Sequence, residues 1–289
     1  MNLYLNKTAL ATTYNLKSNM EIKSFCPRWG ADDSWESFCK RVKDAGYDGV
    51  EVAISDNQQE RQEMLAALQN NKLDFILQAL PGSSNPEEHK REFEKILRDF
   101  AALKPLFINC QTGKDFFSFD DNRQIILVAD KVMQETGIRI IHETHRGKFS
   151  YAAQVLKPYF EQLPDLRITL DISHWCNVSE SLLEDQQEAV EVAISRTDHI
   201  HSRVGYAEGP QVNDPRAPEW EKEVQAHLAW WDKIVQQHRQ IGTPVLTITP
   251  EFGPPAYLPT LPYSQQPVAS QWDINVHMLK LLKQRYALS

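Results

Sequence analysis

Leu166-Arg-Ile-Thr-Leu-Asp171 is an apolar, β-branched run that stops on a carboxylate. The same pattern recurs in Ile138-Arg-Ile-Ile-His-Glu143, in Thr197-Asp-His-Ile-His201 and in Val245-Leu-Thr-Ile-Thr-Pro-Glu251. Each run has the length and the side chains of a buried strand, and each closes on a group that ligates hard or borderline cations. A parallel barrel carries the carboxyl ends of its strands to one rim, where groups far apart in sequence converge. The four runs thus predict a fold and a site together: Glu143, Asp171, His201 and Glu251 around one divalent ion, Mn, Mg, Co or Zn, at the mouth of a barrel.

Outward from these runs, helical and strand patterns alternate along the chain. A first apolar run at 22–25 precedes a helix opened by Ser34 as N-cap, with Ser37 where a capping box usually has Glu. Trp35, Phe38, Cys39, Val42 and Ala45 give that helix its buried stripe, and Gly46 ends it. Further strands are predicted at 49–54, 73–79 and 106–111, with helices through Met64 and Leu68, from Pro86 through Phe100, and over 121–136 up to Gly137. The four ligand-bearing runs supply strands five to eight, and helices are predicted at 151–162, 181–195, 219–240 and 268–286. Eight βα units favour closure into a single-domain α/β (β/α)8 TIM barrel over residues 21–289, with residues 1–20 as an amino-terminal extension. An open doubly wound sheet is the alternative, but no G-x-G-x-x-G follows the first strand. Two Gly- and Pro-containing segments, 204–218 and 253–267, follow strands seven and eight and are expected to wall a pocket.

With 42% hydrophobic and 24% charged residues the chain has the composition of an ordinary globular protein, large enough for a sizeable core. A net charge of −8 argues against a general nucleic-acid or anionic-membrane surface. No stretch approaches the roughly 20 apolar residues of a membrane span, and the first residues lack the apolar core of a signal peptide. Cys26, Cys39, Cys110 and Cys176 are widely spaced and read as reduced thiols, so a cytoplasmic protein is expected.

The order Glu143, Asp171-Ile-Ser-His174, His199-Ile-His201, Glu251-Phe-Gly253 resembles the xylose isomerase-like barrel family, which includes sugar and sugar-phosphate isomerases and epimerases, inosose dehydratases and apurinic-site endonucleases. The resemblance implies that Glu143, Asp171, His201 and Glu251 bind one divalent cation, that Glu143 and Glu251 also move the proton, and that His174 contacts substrate. The implied reaction is isomerisation or epimerisation of a sugar or sugar phosphate through a metal-stabilised enediolate; the same enediolate expels a β-hydroxyl in a dehydratase acting on an inosose or related keto-polyol. Where the ketose 3-epimerases carry a further Glu and Arg, this chain has Phe149 and Ala207, which leaves epimerase and dehydratase both open. The endonuclease branch needs extra metal ligands, and the corresponding places hold Gln78, Gln111 and Asn213-Asp214-Pro215. A barrel that binds a sugar without turnover is a further alternative.

Several residues near the same rim are candidates for substrate contact. His145 and Arg203 follow ligand-bearing strands, Glu51 lies on strand two near the mouth, and Trp175, with Trp29, Phe252 and Tyr257, offers an apolar wall for a sugar ring. Pleat alternation sends His142 to the face opposite Glu143, and places His199 on the side of His201 but one layer deeper. Gln78 and Gln111 suit hydroxyls better than a metal. Trp230-Trp231 in an outer helix gives one ring to the barrel and the other to a subunit contact, as in a homo-oligomer.

Overall fold

Val245–Thr249 pairs in parallel with Thr197–His201 on one side and with Glu21–Pro27 on the other, and that last pairing closes the sheet. The computed structural model describes residues 20–287; the expected extension at 1–20 lies almost entirely outside them. Among the described residues the strands are β1 (Glu21–Pro27), β2 (Gly49–Val52), β3 (Asp74–Ala79), β4 (Ile108–Cys110), β5 (Ile140–Glu143), β6 (Ile168–Leu170), β7 (Thr197–His201) and β8 (Val245–Thr249). They form a closed barrel in chain order, a single-domain (β/α)8 TIM barrel.

The helices are α1 (Trp35–Ala45), α2 (Gln58–Asn71), α3 (Pro86–Ala101), α4 (Phe119–Thr136), α5 (Ala153–Gln162), α6 (Ser173–Val178), α7 (Gln187–Ser195), α8 (Glu221–Ile241) and α9 (Gln271–Tyr286). Their starts follow side-chain chemistry: Ser34, Asn57, Asn85, Ser118 and Ser270 each accept an amide of the first turn, which satisfies donors that have no partner inside the helix. One expectation is corrected here. The helix predicted over 181–195 begins at Gln187, and a separate short helix, α6, starts directly after β6. Glu180 and Leu183 have positive φ between them, so the chain turns where a continuous helix was expected.

Most apolar side chains lie between the sheet and the helices, while Phe25, Ile76, Phe107 and Ile141 fill the interior of the barrel. His199 stacks edge-on against Phe107 at 5.2 Å, with Glu51, Asn109 and Thr249 around it, and His201 follows above. The interior is therefore apolar at depth and polar toward the rim that bears the carboxyl ends of the strands. Trp231 is buried and Trp230 is half-buried against the core and His227. No helix among the described residues is long and apolar enough to cross a membrane. The four cysteines are buried and unpaired.

Candidate metal centre

β5 ends on Glu143 and β7 on His201, Asp171 follows β6 by one residue, and Glu251 follows β8 by two. Parallel pairing puts these ends side by side, and one ligand atom from each of Glu143, Asp171, His201 and Glu251 lies within 4.8 Å of the others. All four are buried. His201 Nδ1 is 2.9 Å from Glu251 Oε2 and 3.4 Å from Glu143 Oε1. Both carboxylate oxygens of Glu143, and His201 Nδ1, are buried with no hydrogen-bond partner. Orphaned buried oxygens beside an imidazole nitrogen are costly unless a cation joins them, so the residues present fit a divalent ion.

The electrostatics of the cluster point the same way. Burial pushes the Glu143 carboxyl up to about 7, and the neighbouring Glu251 and Asp171 add to the rise while His201 opposes it. Burial also raises Asp171, against the opposing pull of Arg203 and His201. At Glu251 burial is outweighed by His201 and Arg203, which hold its carboxyl below the usual range. Burial opposes a charged His201, but Glu251, Glu51 and Glu143 hold its pKa well above the ordinary imidazole value. Four buried carboxylates, Glu51 included, face the one buried guanidinium of Arg203, and a divalent cation matches that excess.

The partners behind the cluster are specific. Glu51 accepts from His201 Nε2 at 3.0 Å, His199 Nε2 at 3.1 Å, Asn109 Nδ2 at 2.8 Å and Gln78 Nε2 at 3.2 Å, and Gln78 also donates to Glu251 at 2.8 Å. A carboxylate on Nε2 fixes the imidazole so that Nδ1 faces the cluster. Arg203 donates to Ser173 Oγ at 3.1 Å, to His174 Nε2 at 2.7 Å and to Asp171, while Ser173 holds the other Asp171 oxygen. The main chain passes close here: a Cβ on Gly205 would lie 2.6 Å from the Ser173 carbonyl oxygen.

A cavity of about 440 Å3 opens beside the cluster, and Glu251, Arg203, His145, Gln78, Gln111 and Tyr257 are among its lining residues. Of the expected substrate contacts, His145 and Arg203 line it; Glu51, His174 and Trp175 do not. Glu51 sits one layer deeper than expected, because its register opposite Pro27 and Ile76 sets it below the rim. His174 lies behind His145, ring centroids 3.9 Å apart, where it accepts from Arg203. Trp175 is turned by α6 into the hydrophobic core, its indole nitrogen donating to the Ser150 carbonyl at 2.8 Å. Burial holds His145 down at about 3, so its imidazole is neutral, with Nδ1 bonded to the Arg146 carbonyl at 2.6 Å and Nε2 3.5 Å from the Tyr257 hydroxyl. Several residues of the cavity and its loops were missed by sequence reading, Glu60 and Leu80 among them. Arg28 follows β1 with no motif around it, and Gln211 clasps Gly253 through both of its amide atoms, joining the loops after β7 and β8.

Fold and site together define a (β/α)8 barrel with a buried four-residue carboxylate-and-histidine cluster at its carboxyl-terminal rim. The model of the xylose isomerase-like TIM barrel family matches residues 39–208, and the chain belongs to that family. Among solved structures it is similar to the 3-keto-D-glucoside 4-epimerase YcjR from E. coli, at 14% identity over 91% of this chain and 100% of that one, with a TM-score of 0.60. It is also similar to the probable 3-DHS dehydratase AsbF from Bacillus anthracis (18% identity, 92% of this chain and 100% of that one, TM-score 0.59) and to an AP endonuclease, family 2, from Brucella melitensis (13%, 81% and 94%, 0.55). These likenesses establish the fold. No curated protein matches the chain.

Proposed function

We propose that the protein is a metal-dependent isomerase or epimerase of a sugar or other polyhydroxylated carbonyl compound. The observation that carries this reading is the meeting of Glu143, Asp171, His201 and Glu251 within 4.8 Å, with both Glu143 oxygens buried and making no hydrogen bond. Those four residues would hold the ion, and a Mn, Mg, Co or Zn ion there supplies Lewis-acid stabilisation of the negative charge that develops when a proton next to a carbonyl leaves. Glu251 faces the cavity and has the depressed pKa, so it is the proton acceptor. Glu143, the second glutamate of the cluster, returns a proton to the other face. Arg203 and Ser173 fix Asp171, Glu51 fixes His201, and Gln78, Gln111 and His145 offer hydrogen bonds to hydroxyls in the cavity.

One observation favours a second reading, a dehydratase. Tyr257 lines the cavity with its hydroxyl against the neutral His145 imidazole, a pair placed to protonate a departing hydroxyl. The neighbours in fold, an epimerase and a dehydratase, accommodate either outcome. NMR of ketose and inosose candidates with the Mn-loaded protein in deuterated water separates them. Solvent deuterium in a product of unchanged formula supports isomerisation, and loss of water supports elimination. Failure to bind any divalent ion, with Glu143→Gln altering neither stability nor ligand affinity, overturns both.

A further inference from the structure

The loops after β4 and β5 share a short pattern that the metal cluster does not use, Thr112-Gly113-Lys114 in one and Arg146-Gly147-Lys148 in the other. Both glycines have positive φ, so each chain bends sharply just before its lysine. The loops are fastened to each other and to the helix behind them. The Phe149 amide donates to the Thr112 carbonyl at 3.3 Å. Asn122, buried in α4, accepts from the Lys114 amide at 3.2 Å and donates to the Lys114 carbonyl at 2.9 Å. This brings the Lys148 ammonium within hydrogen-bonding reach of the Lys114 ammonium, and burial together with that neighbour pushes Lys148 down to about 8. Both side chains are half-buried, and among the described residues neither ammonium has an ion pair; Asp115 and Glu143 act on Lys148 only from beyond that distance. Like charges held together without a counter-ion are costly, yet a chain of net charge −8 places no carboxylate between them.

A third side chain faces the pair. His89, in the first turn of α3, is fully buried, its ring edge-on to Phe117 at 5.5 Å. Burial lowers its pKa, and Lys114 and Lys148 add to the fall, so the imidazole is neutral. Nδ1 is bonded to the Ser83 carbonyl at 2.9 Å. A carbonyl only accepts, so Nδ1 carries the ring proton and Nε2 keeps a free lone pair. That Nε2 is buried with no hydrogen-bond partner. The carboxylate on this side, Glu92, is occupied by the amides of Gly82 and Ser83 at 3.0–3.1 Å. An orphaned buried acceptor beside two ammonium groups is costly unless a ligand joins them. Such a ligand accepts from two cations and donates one hydrogen bond. A simple carboxylate or a sulfate only accepts, whereas a phosphate that keeps one proton does both. Compact ammonium charges, with no guanidinium fork among them, also suit a tetrahedral group better than a planar one.

We propose that Lys114, Lys148 and His89 form a binding site for inorganic phosphate, taken as the hydrogen phosphate dianion: its two charges meet the two ammonium groups and its P–OH donates to His89 Nε2. Gln111 and His145, on the same two loops, line the cavity, so the ion sits beside it and steadies part of its wall. The site stands whether or not the metal cluster holds an ion. Titration calorimetry of the full chain with phosphate, sulfate and glycolate tests it, at one ionic strength and about pH 7.5, where most of a phosphate ester has lost its last proton. Phosphate is expected to bind about tenfold or more tightly than sulfate, which has the same charge and shape but no donor, and than glycolate, a carboxylate beside a hydroxyl. Lys114→Met and Lys148→Met are each expected to weaken phosphate binding about tenfold. His89→Phe, which keeps a ring against Phe117, is expected to bring phosphate and sulfate to similar affinity. The lysine variants, at half-buried positions, keep the test open should His89→Phe not fold. Equal affinity for phosphate and sulfate in the wild type, tighter binding of glycolate, or phosphate affinity unchanged by the double lysine substitution overturns the proposal. Tighter binding of glucose 6-phosphate than of inorganic phosphate overturns the assignment to the free ion and gives the site to the phosphoryl group of a larger molecule.

Discussion

Replacing Glu51 by Gln keeps the shape of the side chain and removes the charge that the His201 imidazole rests on. The Glu51 carboxylate is buried and accepts from His201, His199, Asn109 and Gln78 at 2.8 to 3.2 Å, and from Thr249 Oγ1 at 2.5 Å. A carboxamide has one acceptor oxygen and an NH2 that must face groups which themselves donate, so the array cannot be satisfied as before. Loss of such a partner behind a metal-binding histidine typically weakens metal affinity about 10–100-fold, or roughly 1.4–2.7 kcal/mol. Calorimetric titration of Mn into the wild type, Glu51→Gln and Glu143→Gln measures the effect. The expected order is tightest for wild type, weaker for Glu51→Gln and weakest for Glu143→Gln, which loses a ligand directly. If Glu51→Gln binds Mn within a factor of two of wild type, the carboxylate does not set the orientation of His201, and the account of the buried network fails.

Other perturbations have equally direct readouts. Because the Glu143 carboxyl is pushed up to about 7 and the His201 imidazole is held charged before a cation enters, metal binding displaces a proton from each, and affinity should fall about a hundredfold per pH unit below 7; titration in buffers of different protonation enthalpy should show the released protons. Burial holds His227 at about 4, with Nδ1 on the Glu223 carbonyl and Nε2 accepting from the Gly205 amide. Its folded pKa lies below the unfolded 6.5, so stability is intact above 6.5 and lost as pH falls toward 4, by about 3 kcal/mol in full; denaturant melts across that window should show the loss, and His227→Gln should flatten it. Gly205→Ala drives a Cβ to 2.6 Å from the Ser173 carbonyl oxygen, for an expected cost of about 1–3 kcal/mol and a lower melting temperature, with weaker metal binding because Ser173 holds Asp171.

Much of the barrel was legible in the sequence because buried parallel strands and their helices carry strong, separate signals. Gly46 and Gly137, after long periodic stretches, mark helix ends by backbone chemistry alone. What the sequence could not give was height within the barrel. Glu51 is inward-facing by alternation, but the stagger of β2 against β1 and β3, which puts it under His201 instead of at the mouth, is a property of the closed sheet. Trp175 was expected on the cavity wall because it follows a strand end, and the short helix α6 turns its ring into the core instead. The clasp between Gln211 and Gly253 joins two irregular loops and leaves no periodic trace.

Glu143, Asp171, His201 and Glu251 all come from β5 to β8 and the residues just after them, while Arg28, Trp29, Trp35, Glu60 and Leu80 come from the first three βα units. The cluster and the far wall of the cavity thus belong to separate segments, tied together inside the barrel by Glu51 on His201 and Gln78 on Glu251. Exchange of the early βα loops would recast the cavity wall while leaving the four-residue cluster as it is, which makes those loops the natural place to begin redesign.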